Sequence, residues 1–358
     1  SQTSPNWQLW ERDGRIRIRP PLFFVSVQSE FSVVDLALSQ DTFDTKSAEG
    51  LRRTYRADKT FRYLTLACAL LLLAMFAGII LALVAGAWPA IREFGFSFLW
   101  TQAWNPVTER FGALSPIYGT LVTSIIAMLI SVPVGIGIAI FLTELCPRSL
   151  RRPIGVAIEL LAGIPSIIYG IWGLFVLAPF LQKYVQPGLI DTFENVPLLS
   201  TLFEGPPYGI GMLTAGFILA IMVLPFVTAI SRDVFDAVPP VLKEAAYGLG
   251  CTTWEVFKFV ILPYTRVGVI GGVMLGLGRA LGETMAVTFV IGNAHKVSAS
   301  ILQPGTTISA TIANEFTEAV GDLYTSSLIA LGLILFFITF VVLALARYML
   351  ARIQRKAG

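Results

Sequence analysis

The sequence is poor in charged residues and in the residue types that build metal or disulfide sites. Asp, Glu, Lys and Arg make up 14% of the 358 residues, whereas about 25% is usual for a soluble domain. It contains one histidine, His295, and three cysteines, with no CxxC motif. Neither a metal site nor a disulfide framework is therefore indicated. With no partner nearby in sequence, His295 is interpreted as a solvated loop residue.

The sequence also lacks a GxxxxGK[ST] phosphate-binding loop. The chain is therefore not expected to hydrolyse ATP by that route. A net charge of +3 is too small to indicate a nucleic-acid partner. Residues 1–50 contain no uninterrupted apolar run long enough to be a cleaved signal or a membrane span. They are interpreted as a poorly ordered extension.

Apolar residues are abundant, at 55% of the chain with a mean hydropathy of +0.73. A helix needs about 20 apolar residues to cross the ~30 Å hydrocarbon core of a bilayer. Six stretches meet this requirement, which predicts an all-α membrane protein with six transmembrane helices. The stretches are 63–87, 117–142, 154–180, 209–230, 267–292 and 326–349.

Lys and Arg concentrate in alternate loops, which predicts that both termini are cytoplasmic. The predicted organisation is a cytoplasmic extension (1–61), a transmembrane domain (62–352) and a cytoplasmic tail (353–358). The loops on the predicted outer side hold Arg92, Arg110, Lys183 and Lys296. The predicted cytoplasmic side holds Arg52, Arg53, Arg56, Lys59, Arg62, Arg148, Arg151, Arg152, Arg232, Lys243, Lys258, Arg266, Arg347, Arg352, Arg355 and Lys356. Glu144, at the cytoplasmic end of the second span, is interpreted as solvated.

The loop at residues 231–266, between the fourth and fifth spans, is patterned rather than irregular. Pro239-Pro240 predicts the start of a short helix, because a proline in the first turn loses no hydrogen bond. Gly250 lies where that helix should end. A capping box at Thr252 predicts a second helix, which Pro263 is expected to end before the fifth span.

This loop resembles the "EAA…G…I.LP" loop of ABC-importer permeases. In that family the short helix fits a groove on the ATPase subunit and transmits its motion. The resemblance implies an ATPase-coupling role for six positions, with the small residues permitting close approach. An ordinary amphipathic surface helix is the alternative. The six positions are Glu244, Ala245, Ala246, Gly250, Leu262 and Pro263, and Val260 stands where the family has Ile.

The fifth span contains Arg279 near its middle and Glu283 four residues later. A charge at that depth costs at least about 2.5–3.5 kcal/mol unless it is paired or hydrated. The spacing predicts that the two side chains pair on one helix face, while Gly272, Gly276 and Gly278 predict close helix packing. Two interpretations stay open from the residues alone: a structural ion pair, or an anion site in which Glu283 holds the arginine ready. Arginine suits phosphate because its planar fork donates two parallel hydrogen bonds.

The stretch GLGRALGETMAVTFVIGN resembles the fifth-span signature of phosphate-specific permeases of the PstC type. The resemblance implies an ABC-importer permease (MetI-like) fold in the bacterial inner membrane. It also implies that Arg279 and Glu283 take part in phosphate transport. The resemblance covers about residues 62–352, and its segments are 115–124, 160–175, 247–263 and 276–293.

The resemblance also implies partners. They are a second permease of the PstA type, two copies of an ATPase subunit that binds ATP and Mg, and an extracytoplasmic phosphate-binding protein, with membrane lipid around the bundle. No cofactor is expected in this chain itself. The alternatives are a permease for another oxyanion such as sulfate or phosphonate, an ion-driven symporter or channel, and a membrane scaffold in which Arg279 and Glu283 are a structural pair.

Overall fold

The computed structural model describes the backbone of residues 8–12, 15–19, 33–197 and 199–357, and the side chains of 58–197 and 199–352. Residues 1–77 and 78–358 form two compact units. In the first unit, strands β1 (Gln8–Arg12) and β2 (Arg15–Arg19) pair antiparallel. The alternating Arg-Ile-Arg-Ile-Arg of β2 has the two-residue period of a strand. That the extension as a whole is poorly ordered stays a prediction. The parts of the extension at 1–7, 13–14 and 20–32 lie outside the described residues.

The rest of the described chain is mainly helical, with short 3-10 and π-helical turns joining some of the helices. The helices are α1 (Val33–Phe94), α2 (Leu114–Ile140), α3 (Arg148–Ala162), α4 (Ser166–Trp172), α5 (Ala178–Phe180), α6 (Gln186–Phe193), α7 (Leu199–Leu202), α8 (Met212–Asp236), α9 (Pro240–Gly248), α10 (Thr253–Val256), α11 (Leu262–Gly282), α12 (Met285–Val290), α13 (Ile308–Glu315) and α14 (Asp322–Ala357). The 3-10 turn is Gly95–Leu99, and the π turns are Phe141–Leu145, Gly173–Leu177, Leu181–Val185 and Phe257–Ile261.

Six helical segments among the described residues are long and apolar enough to cross a membrane, which confirms the predicted six-span fold. They are Asp58–Leu99, Leu114–Leu145, Ser166–Phe193, Met212–Asp236, Thr253–Gly282 and Asp322–Arg352. Which side of the membrane holds the termini stays a prediction, as does the division of the chain into extension, transmembrane domain and tail.

The bounds of all six spans differ from the predicted ones, and in the third and the fifth a break in the helix accounts for one of the differences. The third span begins at Ser166 rather than at 154, because Pro165 is extended and separates it from the amphipathic helix α3. The fifth ends at Gly282 rather than at 292. Pro263 does not end a helix as predicted. It lies in the first turn of α11, directly after a π-helical turn whose wider ring rearranges the hydrogen bonds before the proline.

Helices α2, α8 and α11 pack together at the centre of the second unit. A methyl group at Gly272 would lie 2.7 Å from the Ile230 side chain, and one at Gly276 would lie 3.0 Å from that of Val223. The predicted close packing is therefore confirmed at these two glycines, against α8. At Gly278 the nearest neighbour, Leu343, is at an ordinary distance of 3.9 Å. The close approach fixes α11 against the middle of α8.

Candidate functional site

Arg279 lies in the last turn of α11, against the middle of the fourth span. Its guanidinium carbon Cζ is 4.5 Å from the centroid of the Phe226 ring, which is a cation–π contact. Phe226 follows Pro225 near the centre of α8. The arginine therefore lies level with the middle of the fourth span, although in its own span it stands three residues before the end at Gly282 rather than near the middle as predicted. Its side chain is exposed on the isolated chain.

The predicted pairing of Arg279 with Glu283 is wrong. Helix α11 ends at Gly282, and Glu283 has the extended backbone angles φ −70° and ψ 132°. A side chain at position i+4 shares a helix face only while the helix continues, so the break turns Glu283 away. Its Oε1 instead accepts a long hydrogen bond, 3.5 Å, from the Ala286 amide at the start of α12. Among residues 58–197 and 199–352, Arg279 has no carboxylate within ion-pair distance.

The chemical consequence is a cation near mid-span whose charge is not neutralised by this chain's described residues. Helix breaks at membrane depth occur where the backbone is buried in protein or lines a water-filled cavity, and the Glu283–Thr284 break lies directly beside Arg279. A guanidinium in that position can donate charge-assisted hydrogen bonds to an oxyanion. The arrangement provides donors for an anion.

The loop at 231–266 has the predicted form of a helix, a glycine turn and a second helix. Helix α9 begins at Pro240. Gly250 has a φ of +87°, in the region that favours glycine. At Thr252 the capping box is complete, because the Thr252 amide donates to the Glu255 carboxylate at 2.8 Å and the Glu255 amide donates back to the Thr252 hydroxyl. The helix, glycine turn and second helix that the sequence predicts are therefore present in this loop.

The six predicted coupling residues divide between two faces of this loop. Glu244, Ala245 and Gly250 are exposed, as are Leu262 and Pro263 at the start of α11. Ala246 is 7% exposed and packs in a cluster with Ala139, Phe235, Val256 and Phe257. The small side chain of Ala246 thus brings α9 close to its own bundle, and its coupling role stays a prediction.

Glu144 was overlooked by sequence reasoning because its partner is 99 residues away. Its carboxylate Oε1 lies 2.7 Å from Nζ of Lys243 on α9, and its side chain is 7% exposed. The interpretation of Glu144 as solvated is therefore wrong. The one usable signal is Lys243 itself, three residues before the buried Ala246 and so on the same helix face.

His295 is also not a solvated residue. Its Nε2 lies 2.9 Å from Oε1 of Glu315, and its ring stacks on Trp104 with centroids 5.2 Å apart. The Tyr324 hydroxyl and the Trp104 indole donate to Oε2 of the same glutamate. Burial raises the pKa of the Glu315 carboxyl, but these hydrogen bonds outweigh it and hold the pKa below its usual range. We call Trp104, His295, Glu315 and Tyr324 the outer cluster.

Comparison of the sequence with known proteins assigns this chain to a family. Residues 132–355 match the family described as "Binding-protein-dependent transport system inner membrane component". The chain is 69% identical to the phosphate transport system permease protein PstC of Mesorhizobium japonicum over 308 residues, which cover 86% of this chain and 94% of that protein. The chain belongs to the PstC family. It is 57% identical to the PstC protein of Pasteurella multocida, over 83% of this chain and 93% of that protein.

A solved structure of the MetNI methionine ABC transporter has the same fold. It is 15% identical, with a TM-score of 0.51, over 66% of this chain and 94% of that chain. The likeness confirms the predicted MetI-like fold. Membership of the PstC family makes the chain a multi-pass permease subunit of the bacterial inner membrane rather than an enzyme.

Proposed function

We propose that this chain is the permease subunit of an ATP-driven phosphate importer and forms half of its translocation pathway. The observation that carries the proposal is Arg279, an exposed guanidinium near mid-span with a ring beneath it and no carboxylate partner in the described part of the chain. A cation left in that state needs an anion or water. Phosphate supplies two or more oxygens to its planar fork. The PstC relatives carry phosphate transport in their names.

Glu283 has a different role in this proposal from the one its spacing predicts. It does not hold Arg279, because the Phe226 ring does so. Glu283 lies in the adjoining break, where its negative charge opposes a bound anion. Like charges repel, so in this proposal Glu283 lowers the affinity for phosphate and favours its release.

The exposure of Arg279 also supports a second permease chain. Leu275, one turn earlier on α11, is 66% exposed, and Met285 beyond the break is 48% exposed. An apolar surface that carries an exposed arginine is costly against lipid. A PstA-type permease that covers this surface would enclose the arginine in a pathway between the two chains. Lipid then contacts the outer faces of both.

The energy comes from a partner in this proposal. A pair of ATPase subunits binds ATP and Mg, so this chain holds no cofactor. The exposed residues Glu244, Ala245 and Gly250 of the loop at 231–266 dock against the ATPase, with Leu262 and Pro263 at the edge of the contact. A phosphate-binding protein delivers the anion from outside. No nucleic acid takes part.

The test is ATP hydrolysis by the full complex in proteoliposomes: this chain, its partner permease, the ATPase pair and the binding protein. We expect phosphate to stimulate both ATP turnover and phosphate uptake, and an excess of sulfate to leave both unchanged. Equal stimulation by sulfate would assign the chain to another oxyanion. Phosphate uptake that follows an ion gradient and ignores ATP would point to an ion-driven transporter.

A further inference from the structure

Helix α9 is tied to the transmembrane bundle by a buried ion pair. Lys243 Nζ lies 2.7 Å from Glu144 Oε1, with the two side chains 18% and 7% exposed. Lys243 Nζ also donates to the Phe235 backbone carbonyl at 3.4 Å. One lysine therefore joins α9 to the ends of the second and fourth spans.

This pair differs from the other ion pairs described at the same end of the bundle. The Arg151–Asp236 side chains are 38% and 46% exposed, and those of Arg232 and Glu159 are 23% and 50% exposed. Exposed pairs contribute little because water screens them and their side chains remain free to move. A buried carboxylate that loses its partner is left as an uncompensated charge. The Lys243–Glu144 contact is therefore held to one geometry, whereas the exposed pairs are not.

The pair lies on the face of α9 that packs against the bundle, opposite the exposed face. Lys243 and Ala246 face the bundle, whereas Glu244 and Ala245 on the same helix face outward. A force applied to the outward face reaches Glu144 and Phe235 through Lys243. Glu144 lies in the π-helical last turn of the second span, and π turns occur often at functional sites.

The fourth span continues this connection toward the middle of the membrane. Phe226 is on the same helix as Phe235, about two and a half turns away, and its ring lies against Arg279. Lys243, α8, Phe226 and Arg279 thus form an unbroken series of contacts. Continuity alone does not demonstrate coupling, so the series needs a functional test.

We propose that the Lys243–Glu144 pair positions α9 so that its movement is transmitted to the second and fourth spans and through them to Arg279. The inference rests on the proposed coupling of this loop to an ATPase. Packing of Ala246 against Phe235, Val256 and Phe257 keeps α9 on the bundle when the pair is lost. Removal of the pair therefore uncouples the transporter without detaching the helix.

The test compares single and exchanged variants in the full reconstituted complex. Lys243→Met and Glu144→Gln each remove one charge, and the double variant Lys243→Glu with Glu144→Lys exchanges them. The measured quantity is phosphate transported per ATP hydrolysed. We expect the single variants to retain the ATPase subunit and to lose about fivefold or more in this ratio, the lower end of usual coupling between sites. The exchanged variant should recover part of the loss.

Arg151→Gln is the matched control, because it breaks an exposed ion pair at the same end of the bundle. Its ratio should equal that of the wild type. Wild-type ratios in both single variants would overturn the inference. If a single variant does not assemble, the exchanged variant decides: recovered assembly and ratio support the pair, and no recovery overturns it.

Hydrogen exchange separates this inference from the proposed function. In Glu144→Gln the backbone amides of α9 should exchange faster than in the wild type, and in Arg151→Gln they should not. Unchanged exchange in Glu144→Gln would refute the positioning role, whichever anion is transported. A wild-type complex without phosphate-stimulated ATP turnover would refute the proposed function, and the exchange measurement would still judge the pair.

Discussion

Charged side chains are paired at the end of the bundle that is predicted to be cytoplasmic, whereas the arginine near mid-span is unpaired among the described residues. At the end of the bundle, Lys243 is matched by Glu144, and Arg151 by Asp236. Arg279, level with the middle of the fourth span, contacts the Phe226 ring and has no carboxylate partner in the part of the chain that the structure describes. A charge costs the most free energy where water is scarce. Arg279 lies in such a region, and the described residues give it no carboxylate partner. In the proposed function the unpaired charge is kept for a ligand, whereas the paired Lys243 and Glu144 position a helix.

The largest expected effect is at the unpaired charge. Arg279→Gln keeps a polar side chain of moderate length but removes the cation, and we expect it to abolish phosphate uptake. Assembly with the partner subunits should be retained, since no described ion pair depends on Arg279. Uptake of labelled phosphate in proteoliposomes, with subunit content checked on the same preparation, measures both.

Arg266→Gln serves as the control for this substitution. Arg266 is exposed on the same helix, near its opposite end, so its loss changes the net charge equally without touching the mid-span region. Normal uptake by Arg279→Gln would show that the arginine is no anion site. The contrast between paired and unpaired charges would then have no functional meaning.

A smaller effect is expected at the ring beneath the arginine. Phe226→Leu removes the cation–π contact, which is worth about 0.5–2 kcal/mol, so the phosphate concentration for half-maximal uptake should rise about twofold to thirtyfold. The maximal rate should change less, because the guanidinium is still present. Phe226→Tyr keeps the ring and should resemble the wild type. Equal losses in both variants would mean that packing, not the contact with the cation, matters at this position.

Local sequence patterns predicted the elements of this fold but not its long-range charge pairs. Six apolar runs were enough for six spans, and the capping box at Thr252 and the glycine at position 250 depend only on neighbouring residues. Glu144 and Lys243 pair across 99 residues, which no local pattern encodes.

Interruptions of the helices were the second difficulty. Apolar residues continue on both sides of Glu283, so the sequence predicts a single helix through position 292. The break there reversed the conclusion drawn from the four-residue spacing of Arg279 and Glu283. Sequence reasoning therefore assigned Arg279 the wrong neighbour and put it in the middle of a helix that ends three residues later.

The smallest expected effect is at the outer cluster, where the charge is satisfied by three donors. Because the native pKa of Glu315 lies below its usual value, the unfolded chain takes up a proton first as the pH falls. The stabilisation is thus complete above the ordinary glutamate pKa of about 4.3 and is lost as the pH falls through the lower native value. Glu315→Gln should lower the Tm of the purified chain by about 2–4 °C at pH 7, taking about 1 kcal/mol for the lost interaction.

The pH dependence of this Tm difference tests whether the charge of the Glu315 carboxylate causes it. The gap between wild type and Glu315→Gln should shrink as the pH falls below about 4.3, because Glu315 then takes up a proton in the unfolded chain while the native carboxylate stays ionised until the lower native pKa is reached. Glu318→Gln, at an exposed position three residues further on, should have the wild-type Tm throughout. A gap that is the same at pH 7 and well below pH 4 would mean that Glu315 acts through packing. The outer cluster would then be stabilised by packing, unlike the paired charges at the other end of the bundle.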